Sequence, residues 1–416
     1  MSFVVTLADA ADAGTVGGKA ASLGELARAG VSVPPGFAVT TEAFTAAMEV
    51  IDADGALRAG IEGLPAGDVA EIARVAGRFR GIVARSPLPS EVAAAIEAGY
   101  AALGGTPGVA GVADVAVRSS ATVEDSADAS FAGLQDTYLG VSGAGSVLEH
   151  VRRCLASMYN DESVAYRRRL GLPEAGVAMA VVVQRMVAPR AAGVMFTRSP
   201  VTGDRSVVAI EGTWGLGSAL VSGDVTPDSW VISKITGEIT ARRVSPKDKM
   251  HGYLPGGAAS PSPSPESTAD PDERAEVMGR VTVLDTPADL REAPCLTDEE
   301  IRALAAVARR VEGHYGAPQD IEWAVLDVPF AHAAADSPAP GASDQDASDG
   351  DASAQDAPDR DASEGDAPGP DAPAESRVVL LQSRPETVWA ARDAKPAGAP
   401  RARAADHVLA LFGKPL

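Results

Sequence analysis

The sequence predicts an α+β protein built from more than one packed unit. Its 416 residues exceed the needs of one small core and suffice for two or three. Residues 41–104 read as alanine-rich amphipathic helices. The second half carries β-branched apolar runs bounded by turn residues, the mark of strands.

In chain order, Gly14 to Gly30 is a glycine-bearing turn leading into a helix. Leu23, Leu26 and Ala27 share its apolar face, and Gly30 is its stop. Val33-Pro34-Pro35-Gly36-Phe37 is a rigid loop feeding a strand at Phe37–Thr40. Val115–Arg118 reads as a buried strand opening into a long loop, Ser119–Gly133. A strand at Thr137–Val141 and a helix from Val147 to about Leu170 follow. Strands are then expected at Val177–Val187, Ala192–Phe196, Val207–Glu211 and Ser229–Ser233, with a hairpin turn at Ile235–Ile239. Residues 253–272, rich in Pro, Gly and Ser, read as a loose loop. Thr297 and Glu300 form a capping box for a helix from Asp298 to about His314. Ile321–Leu326 and Arg377–Ser383 read as two paired strands. Between them, residues 333–376 form an Ala/Asp/Ser/Pro/Gly insert with too little apolar bulk to offset ordering entropy, so disorder is expected there. Beyond Trp389 lies a Pro/Ala/Arg linker ending in an apolar patch, Val408–Phe412.

Composition excludes several function classes. Net charge is −21, of which the insert, with ten Asp, two Glu and one Arg, contributes −11. A surface of that sign repels nucleic-acid phosphates. No apolar run approaches the roughly 20 residues of a bilayer span, and the N-terminus lacks the features of a signal peptide. Two cysteines, Cys154 and Cys295, argue against a disulfide framework and for a reducing compartment, so the cytoplasm is expected. The five histidines show no metal-ligand spacing.

Four constellations could carry chemistry. Gly17-Gly18-Lys19 before a helix suits a phosphate through amides and an ammonium, but such a turn is more often only a tight connection. Arg118-Ser119-Ser120-Ala121-Thr122 ends a buried strand. Arg118 can hold a phosphate bidentately or pair with Glu124 or Asp125, and spacing leaves both readings open. Glu322 lies on one strand, and Gln382 and Arg384 share a face of another. The first two could hold Mg²⁺ by oxygen with Arg384 on a phosphate, or Glu322 and Arg384 could simply be a cross-strand ion pair. Trp214-Gly215-Leu216-Gly217 could admit a ligand to the backbone or serve packing between strands.

Several phrases together resemble the ATP-binding region of phosphoenolpyruvate synthase, pyruvate phosphate dikinase and rifamycin phosphotransferase. They are Val16-Gly17-Gly18-Lys19, Val33–Phe37, Val117–Asp125, Ser130-Phe131-Ala132-Gly133, Gly215-Leu216-Gly217, Pro318–Trp323 and Leu381–Thr387, in family order and covering Val16 to Val388 apart from the insert. The resemblance implies an ATP-grasp fold of two α+β subdomains with ATP in the cleft between them. Residues 1–195, with a lid loop at 119–133, would form the first and 196–390, interrupted by 333–376, the second, leaving 391–416 as linker and tail. It also implies that Lys19 and Arg118 contact phosphates, and that Gly133 and Thr137 lie on the lid and its following strand. Gln184 would lie near adenine or ribose, Glu322 and Gln382 would hold Mg²⁺, and Arg384 would hold the transferring phosphates.

In such proteins ATP phosphorylates a histidine on a swivelling domain from its β-position, releasing AMP. Phosphate leaves to water or to an inorganic phosphate acceptor, and the histidine then phosphorylates pyruvate or another small acceptor. No Thr-Ser-His segment of that domain follows Val388, so a separate protein is expected to supply it. Ser218 stands where the family usually has glutamate. Direct phosphorylation of an antibiotic or phenol and a non-catalytic, regulatory nucleotide-binding role are the alternatives.

Overall fold

A computed structural model describes residues 2–104, 113–122, 125–126, 129–130, 136–174, 176–253, 281–330, 373–387 and 389. Along the chain come β1 (Val4–Thr6), α1 (Ala13–Arg28), β2 (Gly36–Val39), α2 (Thr41–Ile51), α3 (Ala56–Glu62), α4 (Val69–Arg85) and α5 (Ser90–Ala102). Next are β3 (Asp114–Ala121), the two-residue strands β4 (Asp125–Ser126) and β5 (Ala129–Ser130), and β6 (Thr137–Ser142). They are followed by α6 (Ala144–Ser157), α7 (Asp161–Leu170) and β7 (Met179–Arg185). The second series is β8 (Ala191–Phe196), β9 (Val207–Trp214), α8 (Ser218–Val221), β10 (Asp228–Ser233) and β11 (Ile239–Arg243). It ends with β12 (Lys249–Tyr253), β13 (Val281–Asp285), α9 (Asp298–Tyr315), β14 (Gln319–Val325) and β15 (Val378–Pro385).

Two antiparallel sheets organise these elements, in the orders β1-β2-β7-β3-β6 and β11-β10-β9-β8-β14-β15. This is the expected α+β architecture. On the first sheet, Phe37, Val39, Val115, Val117, Val181 and Val183 face the helical layer, where Phe79 stacks on Tyr159 at 3.9 Å. Its other face carries Ala38 and Val182 against Val16, Ala20 and Leu23 of α1. On the second sheet, Ile321, Trp323, Met195 and Ile210 bury against Ile301, Leu304, Ala308 and Val311 of α9. The capping box of α9 forms as the sequence predicts.

Helix α1 serves both sheets, because Leu26 and Val31 beyond it join the second core. It also covers the free edge of β15. Ser22 donates to the Ser383 carbonyl at 2.7 Å, and the Leu380 amide donates to the Ser32 carbonyl at 2.8 Å. An edge strand's backbone groups are otherwise open to pairing or water, so this contact fixes one unit against the other.

Three boundaries differ from expectation. The helix expected over 147–170 is two helices. Asn160 is extended (φ −62°, ψ 143°) and restarts the chain, while Arg167 of α7 turns inward onto the Met158 carbonyl at 2.9 Å. The chain passes between sheets at residues 186–190, and the boundary expected at 195 falls inside β8. β14 and β15 pair on either side of the insert as expected, and the last residues of its span, Pro373 onward, are described, with a 3-10 turn over Ala374–Arg377. The rest of the insert, all of loop 253–272 but Tyr253, and the tail lie outside the described residues.

The second core contains a full charge pair. Lys247 and Asp228 have fully buried side chains and meet at 2.6 Å. Asp228 also accepts from the backbone amides of Ser245 and Cys295, both at 2.9 Å. Removing one partner of such a pair leaves a charge with no solvation. Asp228→Ala should therefore lower unfolding free energy by about 3–5 kcal/mol, measured by denaturant titration.

Candidate functional site

The site begins with a glycine. Gly17 interrupts α1 with φ 75° and ψ 163°, and a Cβ there would lie 2.0 Å from the Ser120 carbonyl oxygen. Only glycine allows the turn to press so closely against β3. The approach brings Lys19 over the end of that strand, where its Nζ donates to the Ser119 carbonyl at 2.9 Å. Two motifs separated by about a hundred residues thus meet.

Arg118 stands on β3 opposite Thr137 of β6, and Gln184 of β7 lies opposite Ala116 on the same face. Arg118 and Gln184 are about 7 Å apart along the strand direction. Gln184 is buried, with its Nε2 donating to the Pro34 carbonyl at 3.1 Å. Lys19, Arg118, Thr137 and Gln184 therefore belong to one region of the first sheet. Gly133, together with the intervening residues 131–135, lies outside the described residues.

The second sheet supplies oxygen donors. Glu322 of β14 is directly opposite Gln382 of β15, and Asp320 is opposite Arg384. The register shifts between Glu322 and Trp323, so Leu381 is skipped by the ladder and its carbonyl is released from regular pairing. Arg118 reaches all three groups across the interface. Its Nη2 donates to Glu322 Oε2 at 3.0 Å and Gln382 Oε1 at 2.5 Å, and its Nη1 donates to the Leu381 carbonyl at 2.8 Å. The guanidinium is almost wholly buried.

The cross-strand Glu322–Arg384 pair weighed from the sequence is not what forms. Glu322 pairs with Arg118, and the Nε of the partly exposed Arg384 is 3.6 Å from Asp320 Oδ2. Asp320 lies within the Pro318–Trp323 phrase but was given no role there, although its two-residue offset from Glu322 puts both carboxyls on one face. Burial pushes its carboxyl up to about 6, with Arg384 drawing it down and Glu386 raising it. Asp320 Oδ1 is buried without a hydrogen-bond partner among the described residues. This loose contact, between a half-buried carboxyl and an exposed guanidinium, leaves Arg384 available to a stronger anion.

The donor set fits a hard cation. A carboxylate oxygen and an amide oxygen on adjacent strands converge on a single positively charged atom, Arg118 Nη2. Magnesium takes few protein oxygens and completes its shell with water and phosphate. Among the described residues no group of three or more His, Cys, Asp or Glu side chains is placed to hold a metal.

The glycine turn after β9 serves packing. Gly215 has φ 70°, and a Cβ there would meet the His251 carbonyl oxygen at 2.3 Å. Ser218 is bonded to His251 Nδ1 at 2.9 Å, and His251 Nε2 meets Asp224 at 3.1 Å. Tyr253, on the same strand, reaches Asp114 of the first sheet. The hairpin of β12 and β13 thus braces the turn and touches both units.

No helix among the described residues is long and apolar enough to cross a membrane. Residues 13–330 match the pyruvate phosphate dikinase AMP/ATP-binding domain. A rifampicin phosphotransferase of Streptomyces sp. is 42% identical over 77% of this chain and 34% of its own length. A probable phosphoenolpyruvate synthase of Methanothermobacter thermautotrophicus is 40% identical over 76% of the chain and 42% of its own length. The phosphoenolpyruvate synthase of Aeropyrum pernix is 41% identical over 74% and 38%. The chain thus spans between a third and about two fifths of these relatives. With the two-sheet architecture and the motifs in place, it belongs to the family of pyruvate phosphate dikinase AMP/ATP-binding domains.

Proposed function

We propose that this chain binds Mg-ATP in the crevice between its two sheets and acts as the nucleotide-activating component of a dikinase-type phosphotransferase. The observation that carries this reading is the convergence of Arg118 from the first sheet with Glu322 and Gln382 from the second. Together with Lys19 and Arg384, these residues offer the cations and hard oxygens that a metal-bound triphosphate requires.

In this reading Arg118 and Lys19 hold phosphate oxygens from the first sheet, while Arg384 follows the phosphoryl groups that move. Gln184 and Thr137 line the approach on the same sheet face. Glu322 and Gln382 hold Mg²⁺, which neutralises phosphate charge when bound. Because phosphoryl transfer involves little covalent work by the protein, positioning and charge stabilisation are what these residues supply.

The β-phosphate then passes to a histidine outside this set, with AMP and phosphate released. Each described histidine is otherwise engaged. His251 is buried between Ser218 and Asp224, His150 is bonded to Ser146, and His314 to Glu25. A partner domain or protein carrying the acceptor histidine fits this arrangement. Its final acceptor would be a small molecule, for which the relatives' names suggest both pyruvate chemistry and an antibiotic.

Thermal melting with ATP and Mg²⁺ tests the site directly. ATP should raise the melting temperature only when Mg²⁺ is present. Glu322→Ala should weaken the Mg²⁺-dependent part by about 10–100-fold in affinity. Unchanged Mg²⁺ dependence in Glu322→Ala would defeat the metal assignment.

Arg384→Ala should keep nucleotide binding within about tenfold but lower AMP formation by about 10²–10³-fold when the histidine-bearing partner is supplied. Circular dichroism should show both variants folded. Normal AMP formation by Arg384→Ala would remove Arg384 from the reaction.

A further inference from the structure

The contact that identifies the site also raises a conflict. Glu322 Oε2 and Gln382 Oε1, the oxygens assigned to the metal, are both taken by Arg118 Nη2, at 3.0 and 2.5 Å. An arginine stays protonated at every relevant pH, so this occupant cannot be titrated away. A magnesium ion would be held by just such oxygens. It would take the same lone pairs and stand within a few ångströms of a buried positive charge, where repulsion is weakly screened.

We propose that Arg118 is a latch on the metal site: it holds Glu322 and Gln382 until a triphosphate draws its guanidinium away, so the metal ion is admitted with the nucleotide and poorly without it. The proposal rests on the metal-site reading given above. A triphosphate offers the planar guanidinium charge-assisted bonds in place of those to Glu322 and Gln382, whose oxygens are in turn free for the metal that arrives with it. Nη1 can retain the Leu381 carbonyl during this exchange, since that bond uses the other arm of the fork. Only Nη2 must change partners. The first sheet thereby reports the arrival of phosphate to oxygens on the second.

Manganese serves as the probe, with free Mn²⁺ read by electron paramagnetic resonance on the purified chain. The wild type should bind Mn²⁺ alone weakly and at least about tenfold more tightly with a non-hydrolysable ATP analogue, after subtraction of the Mn²⁺ that the analogue holds without protein. Arg118→Met should bind Mn²⁺ alone about tenfold more tightly than wild type. Arg118→Lys, which keeps the charge but not the fork, should fall between them, and it decides the matter if Arg118→Met does not fold. Folded variants that bind Mn²⁺ no better than wild type would overturn the latch. So would a wild type that binds Mn²⁺ equally well with and without the analogue, and that result would leave the metal-site reading standing. A wild type indifferent to Mn²⁺ even with the analogue would overturn both.

Discussion

A buried guanidinium holds the two halves of this molecule in register. Arg118 projects from a strand of the first sheet, and its named partners all lie on β14 and β15 of the second. A buried charge without partners is costly, so the position of β3 and the pairing of β14 with β15 constrain each other. The shift in register beside Glu322 belongs to the same arrangement, because it frees the Leu381 carbonyl as the third acceptor. Helix α1 strengthens the union by packing first on one sheet and then on the other.

Much of this could be read from the residues alone. Strand faces followed from alternation, as with Gln382 and Arg384, and the capping box at Thr297 and Glu300 located α9. The long insert was legible as the loop of a hairpin because two apolar strands flank it. What escaped depends on contacts between distant segments. Nothing local to Arg118 says that its partner is Glu322, some 200 residues on, rather than Glu124. Asp320 was left without a role because a half-buried carboxyl beside an exposed arginine has no sequence signature. Strand β12, with Lys249, Met250, His251, Gly252 and Tyr253, lacks a run of apolar alternation, and its pairing with β13 supplies what its composition does not. The division at Asn160 was hidden because apolar spacing continues through it.

The charge economy of the chain supports the same site. Net charge is −21, and lysine is scarce. Lys234, Lys247 and Lys249 are committed to Glu312, Asp228 and Asp285, while Lys19 lies against the end of β3. Lys19 and Arg118 meet at the end of β3, where Arg118 also reaches Glu322, Gln382 and the Leu381 carbonyl.

The central claim is that these cations and the Glu322–Gln382 oxygens together surround one metal-bound triphosphate. Isothermal titration calorimetry of the purified chain with ATP, run with Mg²⁺ and again with excess chelator, measures this most directly. The account predicts one saturable site whose heat largely disappears with the chelator. Uptake of ATP that is indifferent to Mg²⁺, or no uptake at all, would contradict it.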